Sequence, residues 1–209
     1  MENTQKGLLL VISGPSGVGK GTVCRQLMDR NDAIRLSVSA TTRSKRPGEV
    51  EGKHYYFKTR EEFERMIQEN AFLEYTQVFG MNYYGTPAAG VELQRSQGYD
   101  VILEIDVQGA RNVRKLCPDA VTIFIAPPSS KILKERLVGR GTESEEAVQK
   151  RFATAEQEMK GMGEYDYIVV NDVLEDAVDD VEHVIKAERC RTCRNQEQIN
   201  NFLEGWNKL

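Results

Sequence analysis

The chain has 209 residues, of which 40% are hydrophobic and 29% are charged, and its formal net charge is −4. This composition predicts an ordinary soluble globular protein of one domain, or a core with inserts. The acidic balance argues against a general nucleic-acid or anionic-membrane surface, and no apolar run suits a signal peptide or a membrane span. We therefore expect a cytoplasmic protein with neither nucleic acid nor membrane as a partner, and the sequence predicts no particular oligomeric state.

The four cysteines are too sparse to form a disulfide framework. Cys190 and Cys193 form a C-x-x-C pair in a charged tail. A zinc or redox site is one interpretation, but the second pair of ligands that a zinc ribbon needs is missing. We favour two surface thiols and predict no metal site made by the protein alone.

The first predicted element is a strand at residues 8–12, an apolar run suited to burial on both faces. Gly14, Gly17 and Gly19 break this strand, and Lys20 precedes a segment of helical composition. A strand, a glycine-rich loop and a helix start together form a cradle in which backbone N–H groups and the helix dipole bind phosphate. The lysine of such a loop reaches the β- and γ-phosphates of a nucleotide.

We therefore predict that the chain binds a nucleoside triphosphate. The expected contacts are Gly14, Pro15, Ser16, Gly17, Val18, Gly19, Lys20, Gly21 and Thr22. The loop departs from the strict P-loop pattern at one position, since Gly21 replaces the Ser or Thr whose hydroxyl holds Mg²⁺. Phosphate binding is unaffected by this departure, but the hydroxyl–metal contact is not expected.

The later elements alternate between strands and helices, which indicates a parallel α/β sheet. They begin with a strand at 34–39 and a capping box, Thr59-Arg60-Glu61-Glu62, that starts a helix. A strand at 73–78, a turn at 83–85 and a helix from Thr86 and Pro87 to Gly98 follow. The remaining predictions are a strand at 101–106, a helix at 108–116, a strand at 121–125, two helices within 129–160 broken at 139–141, a strand at 167–170 and a helix at 174–188.

The stretch from about 39 to 90 fits this alternation poorly, and its prolines and glycines exclude long regular structure near its start. We predict that it is an inserted substrate-binding lobe. The whole chain, 1–209, is then a single domain with a core of about 1–38, 91–130 and 156–209, a lobe of about 39–90 and a helical lid of about 131–155.

Three groups of side chains carry the expected chemistry. Glu104 and Asp106 lie at the end of an apolar strand. Because they are two residues apart, they are predicted to lie on one face of the strand. P-loop proteins present a metal-organising carboxylate at the end of such a strand. The alternative is a helix-capping Asp106 and a solvated Glu104. The loop from 42 to 48 packs three cations beside hydroxyls and aromatic rings, as a site for a phosphorylated ligand would. Arginines around the break at 139–141 suit a lid that neutralises a transferring phosphoryl group and excludes water.

In this combination the chain resembles the guanylate kinase family, from about residue 7 to 188. The matching segments are GPSGVGKGT, SVSATTRSKRPGEVEGKHYYF, FLEYTQVFGMNYYGTP, ILEIDVQG, GRGTESEEAVQKR and IVVND. The resemblance implies a P-loop kinase core with an inserted GMP-binding lobe and a helical lid. It also implies ATP-dependent phosphorylation of GMP, and of dGMP, to the diphosphate in purine nucleotide metabolism, with ATP and Mg²⁺ as cofactors.

The resemblance also implies roles for individual residues. Arg43, Arg46, Tyr55 and Tyr84 would hold the GMP phosphate, and Ser39, Glu74, Thr86 and Asp106 would surround the guanine. Arg136, Arg140 and Arg151 would belong to the lid and transfer site, and Asn171 would lie on the adenine side of ATP. Whether Asp106 serves the metal or the guanine stays open.

Base chemistry supports the choice of Glu74. Guanine presents N1–H and a 2-amino group, so one carboxylate can accept two parallel hydrogen bonds, whereas N1 of adenine is an acceptor and would be repelled. Two alternatives remain at this point: a protein-interaction module of the same fold without turnover, and a related kinase with another phosphorylated acceptor.

Overall fold

The computed structural model describes residues 5–78, 80–138 and 145–206. In chain order its elements are β1 (Leu9–Ser13), α1 (Lys20–Arg30), β2 (Ile34–Leu36), β3 (Ala40–Thr41), β4 (Tyr56–Phe57), α2 (Arg60–Gln68), β5 (Phe72–Val78), β6 (Asn82–Pro87), α3 (Ala88–Ser96), β7 (Asp100–Glu104), α4 (Val107–Leu116), β8 (Val121–Ala126), α5 (Ser130–Val138), α6 (Glu145–Met159), β9 (Tyr167–Val170), α7 (Leu174–Arg189) and α8 (Gln196–Trp206), with short 3-10 helices at Met162–Glu164 and Thr192–Arg194. None of the helices within these described residues is both long and apolar enough to cross a membrane.

Five parallel strands form the central sheet, in the spatial order β2-β7-β1-β8-β9. β1 lies in the middle, and every residue of β1 and β8 is buried, as expected of strands that are covered on both faces. Helices α1 and α7 contribute to the core on one face, and α3 and α4 contribute to the core on the other. The prediction of a parallel α/β sheet is confirmed.

A second sheet, of four short strands in the order β4-β3-β6-β5, is formed within the segment that fits the alternation poorly. Aromatic stacking joins this sheet to α2, because the Phe63 ring lies 4.4 Å from that of Phe72 and 5.1 Å from that of Tyr83. Helix α2 begins with the predicted capping box, in which Thr59 and Glu62 bond each other's backbone N–H. The division of the chain into core, lobe and lid stays a prediction.

Helices α5 and α6 confirm the two helices expected within 129–160. They pack through Leu133 and Leu137 on α5 and through Ala155 and Phe152 on α6. The predicted break at 139–141 lies outside the described residues, and so does Arg140. Of the three arginines assigned to the lid, Arg136 and Arg151 can therefore be placed.

The turn predicted at 83–85 is wrong. These residues lie inside β6, which pairs antiparallel with β5. Gly85 serves close packing rather than a turn, because a Cβ at this position would lie 3.0 Å from ring atoms of both Phe63 and Phe72. A glycine that follows two tyrosines suggests a turn, but Gly85 lies in a strand, where its lack of a side chain lets two aromatic rings pack against it.

Three predicted boundaries also change. β2 ends at Leu36, short of the predicted 39, because the chain then crosses to the second sheet at Ala40. The residue that caps α3 is Pro87, and Thr86 lies in β6. β7 ends at Glu104, and Asp106 instead caps α4 by accepting a 2.7 Å hydrogen bond from the backbone N–H of Gly109. Glu104 and Asp106 therefore do not share one face of a strand.

The tail beyond α7 continues in helical structure to the end of α8. Cys190 and Cys193 are both exposed free thiols, which confirms that the C-x-x-C pair lies at the surface. The tail is held to the domain by arginines, since Arg194 donates to the backbone carbonyl of Asp119 at 2.8 Å.

The amino end of the central sheet depends on Asp100, whose side chain is fully buried. It accepts 2.8 Å hydrogen bonds from the backbone N–H of Leu8 and from the guanidinium of Arg189. We expect Asp100→Ala to lower the free energy of unfolding by about 2–4 kcal/mol, because a buried backbone donor loses its partner. Urea unfolding followed by circular dichroism measures this change.

The matched control is Asp179→Ala, which removes an exposed carboxylate paired with Arg30. We expect this variant to lose less than about 1 kcal/mol. Equal losses in the two variants would contradict the role assigned to Asp100.

Candidate active site

The glycine-rich loop joins the buried end of β1 to the start of α1, with Ser13 and Lys20 as its limits. It lies at the carboxyl edge of the parallel sheet, which is where open α/β sheets bind ligands. The first N–H groups of α1 and the positive end of its dipole are directed to this edge, so the position suits an anion. The sequence prediction of a strand, a loop and a helix in this order is confirmed.

At two positions of the loop the backbone conformation and the close neighbours require glycine. Gly14 has φ +142°, and a Cβ there would lie 2.3 Å from the carbonyl oxygen of Ile125 on β8. Gly19 has φ +95°, and its Cβ would lie 2.6 Å from Nδ2 of Asn171. Close backbone packing and left-handed dihedral angles thus both require glycine.

Lys20 is held by the loop itself. Its Nζ donates to the carbonyl oxygens of Gly14 at 2.6 Å and Pro15 at 3.2 Å. Burial lowers the pKa of Lys20, and the nearby negative charge of Glu104 is the largest opposing influence. The ammonium group is therefore fixed at the mouth of the loop and faces carboxylates.

Three residues expected on the ATP side surround the loop. Nδ2 of Asn171 donates to the carbonyl oxygen of Val18 at 2.7 Å, and Arg136 donates to the backbone oxygen of Asn171 at 2.9 Å. Arg151 on α6 donates to Oγ of Ser16 at 2.8 Å. The amide that was expected to contact adenine is thus engaged with the loop backbone, and the two arginines reach the loop from α5 and α6.

A cavity of about 280 Å³ opens between the loop and the second sheet. It brings together eight of the predicted site residues: Gly14, Ser16, Lys20, Ser39, Tyr55, Glu74, Tyr84 and Asp106. Glu104 lines the same cavity, as do Thr76, Gly85, Ile105 and Glu158, which the sequence analysis did not select. Residues from both sheets therefore converge on one space.

Glu74 is the most buried carboxylate in this cavity, with 5% of its surface exposed. It lies on β5 opposite Thr86 of β6, whose hydroxyl donates to Oε1 of Glu74 at 2.7 Å. Burial raises the pKa of Glu74 to about 7; the Thr86 bond opposes this rise, and the charge of Asp106 adds to it. Thr86 therefore orients the carboxylate rather than capping a helix.

Glu104, the last residue of β7, and Asp106, which follows the strand, have different neighbours in the cavity. Asp106 lies beside Glu74, because a Cβ on Gly109 would be 3.3 Å from Oδ1 of Asp106 and 3.1 Å from Oε2 of Glu74. Glu104 lies beside the loop, where a Cβ on Gly21 would be 3.4 Å from its carboxylate. The missing side chain at position 21 thus leaves the approach to Glu104 open.

The basic loop is arranged around Arg43. Its guanidinium makes two hydrogen bonds to Glu49, at 2.7 and 3.0 Å, and lies 5.3 Å from the centre of the Tyr55 ring. The pKa of Glu49 is lowered to about 2 because Arg43 and the backbone N–H of Arg46 donate to it. Tyr84 packs edge-on against Tyr55 with ring centres 6.0 Å apart. Arg43 and the tyrosines are thus preorganised, while the Arg46 side chain is exposed.

Glu158 is the functional candidate that the sequence analysis missed. It lies near the end of α6 and lines the cavity, seven residues after Arg151. Residues seven apart share one face of a helix, so the prediction that Arg151 faces the site could have found it.

Comparisons with known proteins agree with this geometry. The family profile described as guanylate kinase matches residues 6–188. The chain belongs to the guanylate kinase family. A guanylate kinase from Symbiobacterium thermophilum is 54% identical over 93% of this chain and 92% of its own length, and one from Clostridioides difficile is 48% identical over 93% and 95%.

The family also includes a solved structure that this chain resembles. The crystal structure of guanylate kinase from Anaplasma phagocytophilum has a TM-score of 0.76 and 35% identity, with 94% of each chain covered. The expected family and fold are therefore confirmed, and the protein is a kinase of the nucleoside monophosphate phosphotransferase type.

The raised pKa of Glu74 should make the stability of the protein depend on pH. Because its folded-state pKa lies near 7, above its ordinary value of 4.5, protonated Glu74 favours folding. This contribution is complete below pH 4.5 and is lost as the pH rises through 7. We expect Glu74→Gln to match the wild type at pH 4 and to gain up to about 3 kcal/mol over it by pH 8.

Denaturant unfolding at a series of pH values measures this difference. Glu69→Gln, which removes an exposed carboxylate at the end of α2, is the control and should not show the gain in stability expected of Glu74→Gln. If the difference in unfolding free energy between Glu74→Gln and wild type did not change with pH, a desolvated carboxylate at this position would be excluded.

Proposed function

We propose that the protein transfers the γ-phosphoryl group of ATP to GMP, and to dGMP, and forms ADP and the diphosphate as a cytoplasmic enzyme of purine nucleotide metabolism. One observation carries the proposal: Lys20 of the glycine-rich loop and the buried carboxylate of Glu74 line the same cavity. Family membership supports the same reaction. Transfer of this kind needs positioning and electrostatic stabilisation and no covalent intermediate.

The loop from Gly14 to Thr22 would hold the phosphates of ATP. Its backbone N–H groups would donate to phosphate oxygens, and Lys20 would exchange its bonds to loop carbonyls for bonds to the transferring group. Asn171 would stabilise this loop from the side through its bond to Val18. A ligand with several phosphate oxygens suits these donors because each charge-assisted bond is stronger than a neutral one.

Mg²⁺ fits the oxygen donors of the cavity. Within residues 5–78, 80–138 and 145–206, no three metal-ligating side chains converge on one point, so the protein does not form a closed cage there. Mg²⁺ on nucleotides is usually held by phosphates and waters with one or two carboxylates, and Glu104 beside Gly21 is placed for that task. When bound, Mg²⁺ would neutralise charge on the phosphates.

Glu74 would recognise guanine. Its ionised carboxylate would accept from N1–H and the 2-amino group, while Thr86 keeps it in place. Because the Thr86 hydroxyl donates to Glu74, its task would be to orient that carboxylate towards guanine. Asp106 lies beside Glu74 and is therefore assigned to the guanine side, with Ser39 lining the same space.

The remaining assignments concern phosphate charge. Arg43, Arg46, Tyr55 and Tyr84 would bind the GMP phosphate, which would compete with Glu49 for the Arg43 guanidinium. The lid arginines, Arg136, Arg140 and Arg151, would approach the transferring phosphoryl group and exclude water that would otherwise accept it.

The direct test of this function offers acceptors separately. ADP release from ATP and Mg²⁺ would be measured with GMP, dGMP, AMP, CMP, UMP and dTMP. We expect turnover with GMP and dGMP and at least about a hundredfold lower efficiency with the others. Equal efficiency with AMP would favour the alternative of a kinase with another acceptor, and no turnover with any acceptor would favour a non-catalytic interaction module.

Base selection is tested by Glu74→Ala. Two guanine donors would lose a charged partner, so the kcat/KM for GMP should fall by about two to four orders of magnitude, while AMP gains little. Glu74→Gln should narrow the GMP-to-AMP ratio further, because its amide can donate to N1 of adenine. Glu69→Ala, an exposed carboxylate of the same lobe, should leave both efficiencies unchanged. An unaltered GMP efficiency in Glu74→Ala would remove Glu74 from the site.

A further inference from the structure

Glu158 is a carboxylate in the active-site cavity to which the proposed reaction assigns no task. It lies near the C-terminal end of α6 and lines the cavity together with Lys20 and Ser16. Arg151, Ala155 and Glu158 follow the spacing of one helical face. On this face Arg151 donates to Ser16, and Glu158 lines the cavity together with Ser16, so this face is directed to the glycine-rich loop.

The Glu158 carboxylate lacks part of the hydrogen bonding that a buried carboxylate needs. Its Oε2 is buried and has no hydrogen-bond partner. Burial raises the pKa of Glu158 against the opposing effects of Lys20 and the backbone N–H of Ser16, and the charge of Asp106 adds to the rise. A buried carboxylate oxygen without a donor opposes folding, so its presence calls for a reason other than stability.

The groups that it approaches are those assigned to ATP phosphate. Lys20 has three N–H groups, and two of them are taken by loop carbonyls. The backbone N–H of Ser16 belongs to the loop itself. The negative charge of Glu158 therefore lies next to the donors that phosphate oxygens would use, and it opposes any anion that reaches them.

Glu104 differs from Glu158 in this respect. It lies on β7, next to Gly21, and has no buried oxygen without a partner. Its charge is the largest one that offsets the effect of burial on the pKa of Lys20. Glu104 thus offsets more of the effect of burial on Lys20 than Glu158 does, and Glu158 keeps a buried oxygen without a hydrogen-bond partner.

We propose that Glu158 is a specificity residue that makes the phosphate loop favour a nucleotide complexed with a divalent cation over the free polyanion. The inference rests on the proposed binding of nucleotide phosphates at this loop. Mg²⁺ cancels two of the negative charges of ATP, so the repulsion from Glu158 is weaker for the complex than for the free nucleotide. An unpaired charge placed against the wrong ligand is a common source of selectivity.

The proposal is tested by nucleotide affinity rather than by turnover. ATP binding would be measured by calorimetry with excess Mg²⁺ and, separately, with EDTA, for wild type and Glu158→Gln. We expect Glu158→Gln to bind metal-free ATP about threefold to tenfold more tightly and the Mg²⁺ complex less than twofold more tightly. The ratio of the two dissociation constants therefore narrows.

Matched variants separate this effect from a structural one. Glu156→Gln removes an exposed carboxylate from the same helix and should leave the ratio at its wild-type value. Glu158→Ala should narrow the ratio of the two dissociation constants as Glu158→Gln does. Glu158→Asp keeps a carboxylate and should keep the wild-type ratio. Circular dichroism confirms that each variant is folded. A ratio that is unchanged in both Glu158→Gln and Glu158→Ala would overturn the proposal, as would equal gains for both forms of ATP.

The proposed function fails on a different measurement. If wild type releases no ADP in the presence of GMP, the assigned reaction is wrong, whatever the affinity ratio shows. If turnover with GMP is observed and the ratio does not respond to Glu158, only the selectivity inference is wrong.

Discussion

The placement of the Lys20 ammonium group organises this molecule. Lys20 begins α1, yet its Nζ turns back to the carbonyl oxygens of Gly14 and Pro15. That geometry requires a tightly packed loop, in which a Cβ on Gly14 would lie 2.3 Å from the carbonyl oxygen of Ile125 on β8. The loop in turn depends on β1, which lies in the middle of the central sheet and is buried throughout, because a rigid strand end can hold the six residues of the loop at fixed positions. The carboxylates around the cavity are arranged with respect to this cation.

Opposite chemical demands meet in the same cavity. The phosphate end needs positive charge and open N–H groups, and the guanine end needs a carboxylate removed from water. The antiparallel pairing of β5 and β6 meets the second demand by placing Thr86 opposite Glu74. The hydroxyl bond fixes the carboxylate, while burial raises its pKa to about 7. In the proposed complex, guanine would supply the donors that water no longer does. The second sheet would then provide base selectivity, and the first sheet would provide phosphate binding.

Much of this arrangement could be predicted from local signals. Patterns of neighbouring residues identify the P-loop spacing, the capping box at Thr59 and the apolar strands, so the sequence is enough to locate each of them. The errors arose where long-range pairing overrides local preference. Gly85 suggests a turn until Phe63 and Phe72 are known to pack against it. For Asp106 a strand position and a helix cap were both open, and the N–H of Gly109 decides for the cap. Pairs such as Arg43 with Glu49 and the unpaired oxygen of Glu158 depend on the folded geometry, so no spacing in the sequence could identify them.

In the proposed complex the two substrates share one cavity, with the phosphates of ATP on the loop around Lys20 and guanine on the carboxylate of Glu74. A crystal structure with GMP and a non-hydrolysable ATP analogue would show both contacts. We expect the β-phosphate of the analogue to accept N–H groups of the loop, and Lys20 to contact its phosphates. We also expect N1 and the 2-amino group of guanine to lie within about 3 Å of the Glu74 carboxylate. Guanine bound away from Glu74, or phosphates bound outside the loop, would contradict this assignment.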